Sequence, residues 1–171
     1  MKKLVLLGVL ILGLVFPAVA SANSGAQVYR VNLDTLNDSG VHGHATLVYR
    51  DSQLKVELVA WGLEPNMVHL QHIHGFAGTD QVATCPPMSA AGSDNILTFQ
   101  EGLPFYGPVV LPLQPYPMAM KNGLVTFHET FSGVTIDDLS NFVIVLHGMT
   151  LNGTYDPTLP VACGAIMPAG S

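Results

Sequence analysis

The sequence predicts an all-β domain: a Greek-key barrel or sandwich of about eight antiparallel strands. Three observations lead there. Apolar and polar residues alternate over short runs, the period of a strand with one buried face. Gly, Pro, Asn and Asp separate those runs at turn spacing. Little in the chain carries the i, i+3, i+4, i+7 apolar stripe of an amphipathic helix.

The first 22 residues stand apart. Lys2 and Lys3 precede an apolar run from Leu4 to Val15, and Ala20-Ser21-Ala22 fits the small-residue cleavage pattern of an export signal. The run is too short to span a bilayer comfortably. We therefore expect a signal peptide over 1–22, cleaved after Ala22, and one secreted or periplasmic domain over 23–171 with no membrane contact after cleavage. Losing Lys2 and Lys3 takes six basic residues to four against twelve acids, so the formal charge moves from −6 to −8. So few cations cannot neutralise many phosphates, which excludes nucleic acid as a partner. They also disfavour docking on anionic lipid.

The strands follow in order. Residues 27–33 alternate and meet the turn Asn37-Asp38-Ser39-Gly40. Residues 44–50 and 54–61 form a predicted hairpin around Asp51-Ser52-Gln53, with Leu54, Val56 and Leu58 on one face. Gly62 to Asn66 breaks the run, and Val68 to Phe76 is the next strand. From Ala77 to Pro117 the chain is rich in Gly and Pro and reads as irregular, with one short strand placed at 95–99. A loop of that length is functional or is held by something. Residues 123–131 and 141–148 are predicted strands, with a single helical turn between them at 135–139. Residues 162–167 form the last.

Histidines mark the candidate chemistry. On a strand, His72 and His74 project from one side about 6.5 to 7 Å apart. Two imidazoles on a rigid face can share a metal ion at about 2.0 to 2.1 Å per bond. His147 ends an apolar run; alone it reads as a capped core histidine, and together with the pair it offers a third ligand. Three neutral imidazoles suit copper or zinc. His42 and His44, beside Gly40 and Gly43, read as solvent-exposed, and His128 beside Glu129 can face either way. Met88, Met118, Met120, Met149 and Met167 carry thioethers that suit cuprous copper, although methionine more often fills core gaps. The two cysteines, Cys85 and Cys163, form one disulfide in an oxidising compartment, or else supply two soft ligands for copper. A disulfide closing so long a loop contributes ~4 kcal/mol in the chain-entropy picture. Asn37-Asp38-Ser39 and Asn152-Gly153-Thr154 fit the N-glycosylation acceptor pattern.

Four segments carry a resemblance. His69-Leu70-Gln71-His72-Ile73-His74-Gly75-Phe76 resembles the H-G-F-H-[IV]-H-E-F segment of the copper/zinc superoxide dismutases. Cys85 lies where that family keeps its first disulfide cysteine. Phe142-Val143-Ile144-Val145-Leu146-His147 resembles the strand that delivers a later copper ligand, and Ala162-Cys163-Gly164-Ala165-Ile166 resembles the near-terminal A-C-G-V-I. The resemblance runs over about 27–167. It implies a dismutase-like Greek-key barrel, a Cys85–Cys163 disulfide, His72, His74 and His147 as ligands to one copper ion, and His69 as a neighbour under the site. His72-Ile73-His74-Gly75-Phe76-Ala77 also resembles the H-I-H-G-x-A segment of CHRD domains, β-rich extracellular modules.

The departures from the dismutase pattern are specific. No histidine lies between Cys85 and His128, so the bridging histidine and the zinc ligands are missing and zinc is not expected. Pro160 stands where the family has its anion-guiding arginine, and an acidic surface repels superoxide. Met88, His69 and His128 remain as possible additional ligands. The expected function is a secreted copper-binding protein, with copper-only superoxide dismutation as its enzymatic version. The alternatives are a non-catalytic CHRD-like module and a copper storage or delivery protein.

Overall fold

A computed structural model describes residues 25–136 and 138–170. The expected signal peptide and its cleavage point lie outside the described residues.

Alternation builds the first half. β1 (Gln27–Thr35), β2 (His42–Arg50) and β3 (Gln53–Trp61) bury every second side chain, so Val31, Leu47, Val56 and Leu58 point inward while their neighbours meet water. The chain then crosses to a second half, where β4 (Gln71–His74) pairs with β5 (Val109–Pro112). It returns to lay β6 (Val125–Ser132) against β3, and crosses again to pair β7 (Val143–Leu151) with β4 and with β8 (Thr154–Ala165). The strand order is β5-β4-β7-β8-β1-β2-β3-β6, antiparallel throughout, with the short β9 (Met167–Pro168) added to β1. Two four-stranded halves are thus joined along β1 and β8 into a curled half-barrel, and the crossings β3→β4 and β6→β7 are connections of the Greek-key kind. The all-β expectation holds.

Several stretches differ from the sequence reading: the strand expected over 68–76 shortens to β4, and the one expected at 162–167 starts earlier as β8. The strand expected at 95–99 is absent: Asn95 sits at φ 58°, and the helix α1 (Phe99–Tyr106) begins instead. Its cause is a capping box. The Thr98 hydroxyl accepts from the Glu101 amide, and the Glu101 carboxylate accepts from the Thr98 amide. The strand role in this stretch falls to β5, inside the part expected to be irregular. The helical turn expected at 135–139 appears slightly later, as a 3-10 turn at Leu139–Asn141 capped by Asp138.

The disulfide is present. Cys85 and Cys163 are bonded with Cα atoms 5.7 Å apart. Cys163 is opposite Val145 on β7 and opposite Asp34 on β1, so the tether reaches the seam between the halves. No helix among the described residues is long and apolar enough to cross a membrane.

Two apolar clusters result. The barrel interior holds Val31, Leu47, Leu58, Ile73, Ile144 and Leu146 among others. A second cluster lies outside the β7–β8 half: Val143, Val145 and Cys163 pack against Leu36 from the β1–β2 turn and Ala83, Leu97 and Tyr106 from the long connection. That connection is a cover.

Candidate metal centre

Register decides which histidines meet. On β4, Ile73 faces the barrel interior, so His72 and His74 face outward under the cover. On β7, Ile144 and Leu146 face inward, which puts Val143, Val145 and His147 outward on the same side. His72 is opposite Val145 and His74 opposite Val143, while the His147 amide bonds Leu70 O at 2.9 Å. The three imidazoles therefore form a triangle with ring centroids 5.5 Å (72–74), 5.2 Å (72–147) and 5.6 Å (74–147) apart.

One ligand nitrogen from each ring lies within 4.8 Å of the other two, and all three residues are buried. Around a metal with 2.0 to 2.1 Å bonds such nitrogens stand about 3.3 to 3.6 Å apart, so coordination needs the rings to close by at most about 1.5 Å.

Backbone carbonyls fix two of the rings. His74 Nδ1 donates to Gly107 O, the C-cap of α1, at 2.9 Å, and His147 Nδ1 donates to Thr158 O at 2.9 Å. A neutral ring that donates from Nδ1 carries its lone pair on Nε2. Thr158 is in turn held by Asp156, which accepts from its amide at 2.8 Å and its hydroxyl at 2.7 Å. The third ring is reversed: His72 Nε2 lies 2.9 Å from the Tyr116 hydroxyl, leaving Nδ1 toward the cluster. His72 Nδ1, His74 Nε2 and His147 Nε2 are buried without a hydrogen-bond partner. Leaving a buried polar atom unpaired costs about 1 to 3 kcal/mol. Three converging at one point is the chemistry of a metal-ligand set, and the donor set fits an ion.

Burial also sets the charge. Desolvation, with repulsion from His74, pushes His72 down to about 4. Desolvation, with repulsion from His72 and His74, pushes His147 to about 3. His74 is lowered by desolvation against the opposing pull of the Gly107 carbonyl. Neutral rings at neutral pH are the form a metal binds.

Aromatic rings close the site. Tyr106 lies 4.7 Å from the His74 ring, and Phe99 lies 6.1 Å from His74 and 6.1 Å from His147. Gly102 permits this packing, since a Cβ there would run into the Tyr106 ring.

The other sequence candidates fall elsewhere. His69 is buried beside the centre, but its Nδ1 faces His147 O at 3.1 Å and its Nε2 faces Glu64 O at 3.0 Å, so neither nitrogen turns into the cluster. It braces the β7 bulge at His147. The Met88 sulfur accepts from the Asn37 amide at 3.4 Å, beside the disulfide. His128 lies on the opposite half, exposed and 3.6 Å from Glu57. His42 and His44 are exposed on β2, as expected.

Among the contributors that escaped the sequence reading are Tyr116, Phe99, Tyr106, Thr158 and Asn37. Asn37 bonds Leu97 through both its amide and its carbonyl oxygen, and also bonds Pro160 O at 2.9 Å. It latches the cover to β8, and its side chain is too buried to serve as a glycan acceptor. For α1, the T-x-x-E spacing of Thr98 and Glu101 was a usable signal. No family model matches the chain, and no curated protein matches it.

Proposed function

We propose that the protein is an exported copper-binding protein that holds one ion through His72 Nδ1, His74 Nε2 and His147 Nε2. One observation carries this reading: three buried, partnerless imidazole nitrogens converge within 4.8 Å. Copper is favoured over zinc because it heads the divalent affinity order at nitrogen sites, and because the resemblance to dismutase copper strands falls on these three residues. When bound, copper would supply one-electron redox chemistry between its cupric and cuprous forms.

The surrounding residues fit a holding role. Gly107 and Thr158 carbonyls keep two rings in the ligating tautomer, and Tyr116 sets the third. Phe99 and Tyr106 screen the rings from water, and the acidic composition repels anions. Storage or delivery of copper is therefore placed ahead of turnover. Copper-only superoxide dismutation is the second reading, supported by the resemblance of 69–76 and 142–147 to that family.

Copper titration of the exported chain tests the proposal. His72→Ala and His147→Ala should each weaken binding at least about a hundredfold. Unchanged affinity in both would sink it. A superoxide decay rate above that of buffer, lost in the same variants, would promote the second reading over the first.

A further inference from the structure

His72 is the least enclosed of the three ligands, at 8 % exposure against 0 % for His74 and 1 % for His147. Tyr116, which opens the stretch 116–120, stands against its ring. His69 N bonds Pro117 O at 3.0 Å and Ala119 N bonds Met67 O at 2.9 Å, with Val68 opposite Met118 between them. Directly opposed residues of an antiparallel pair place their side chains on one face, and that face repeats every second residue. Met118 thus lies beside Val68, and two residues before it the Tyr116 hydroxyl reaches His72 Nε2 at 2.9 Å.

Met120 follows two residues after Met118, at the start of a turn closed by Gly123 N to Met120 O at 2.9 Å. Ala119 between the two methionines is buried at 2 %, whereas Met118 is 61 % and Met120 53 % exposed. Two unbranched apolar side chains in water forfeit the usual gain from burial. What they offer there is a pair of soft, polarisable sulfurs, which select cuprous over cupric ions.

We propose that Met118 and Met120 form an outer docking site for a cuprous ion and load the three-histidine cluster past Tyr116. This rests on the copper reading of that cluster. The transfer is ligand exchange: metal–sulfur bonds break, metal–nitrogen bonds form, and the ion stays cuprous, so no oxidant or reductant is needed.

The M118L/M120L variant tests it, since both side chains are exposed and leucine keeps their apolar bulk. Cuprous ion is supplied anaerobically as its bicinchoninate complex to the metal-free exported chain, and loading is followed by loss of the complex's colour. The variant should load about tenfold more slowly, with cupric loading from a glycine complex and final occupancy unchanged. Equal cuprous loading rates would overturn the proposal. A second measurement separates it from the copper reading. Silver(I), a redox-inert stand-in, is titrated into His72→Ala/His147→Ala while methionine methyl resonances are recorded. Shifts at Met118 and Met120 support the docking site even if the histidine cluster proves not to bind copper. Unmoved methyls overturn it even where copper binding by the histidines holds.

Discussion

The two halves of the barrel are built from similar strands yet treat polar residues in opposite ways. In β1, β2 and β3 burial alternates, because one face packs inward and the other meets water. In β4 all four residues are buried, and in β7 the first six are, because the long connection covers their outer face. A histidine on the open half, such as His44 or His128, stays solvated. A histidine on the covered half is desolvated and must find a partner. The candidate centre therefore depends on the cover as much as on the three histidines.

Removing the tether should produce the largest effect. Cys85→Ala with Cys163→Ala frees the connection from the seam and should lower unfolding stability by ~4 kcal/mol, read by urea denaturation. Amide exchange should rise over 76–108 and around His72 and His74 more than over β1 to β3. Uniform loosening of both halves would break the comparison.

Acid should come next, and between pH 7.5 and 5.5 through the covered half. His72 and His147 have folded pKa values depressed to about 4 and about 3, while the unfolded chain titrates near the ordinary value of 6.5. Below that value the unfolded state binds more protons, so stability falls as pH drops through the window from 6.5 toward 4. At pH 5.5 each ring held neutral should cost about 1.4 kcal/mol relative to pH 7.5 in the metal-free protein. The loss should shrink in His72→Ala/His147→Ala and persist in His128→Ala. Equal pH profiles for the wild type and the double variant would refute the assignment.

Those contrasts also explain what could be read in advance. Period-2 alternation is a local property, so β1, β2, β3, β6 and β7 were legible, as was the face shared by His72 and His74. The position of His147 on the same side came from resemblance, since register between distant strands is not written in either strand alone. Tyr116 and Phe99 were invisible for the same reason: each reaches the cluster across sequence separations of 44 and 48 residues. The misplacement of 95–99 has a different cause. Ile96, Leu97 and Phe99 look like a strand by composition, but Thr98 and Glu101 close a capping box that starts a helix one residue later. Local polar bonding overrode the apolar pattern.

That capping box gives the third test. Thr98→Ala removes the hydroxyl accepting from Glu101 N at 3.3 Å and should cost ~1 kcal/mol, seen as a modest fall in the thermal midpoint. Because α1 carries Phe99 and Tyr106 onto the histidine rings, copper affinity should also weaken, whereas a stability loss of the same size in β2 should leave it alone. Affinity unchanged by Thr98→Ala would show that the ligand strands hold their geometry without the helix.

The smallest effect sharpens the comparison from the open side. His128 has the residue type of a ligand and an acidic neighbour, Glu57, at 3.6 Å, but its side chain is 65 % exposed. Glu57 is already 2.7 Å from Lys55, and exposed pairs of this kind contribute little. His128→Ala should therefore change unfolding stability by less than about 0.5 kcal/mol and leave copper stoichiometry intact. It sits on β6, the end strand of the order, whose partner β3 offers no cover comparable to α1, so its ring stays exposed. A substantial loss of copper in His128→Ala would mean that an uncovered histidine takes part in binding, and the division between the two halves would fail.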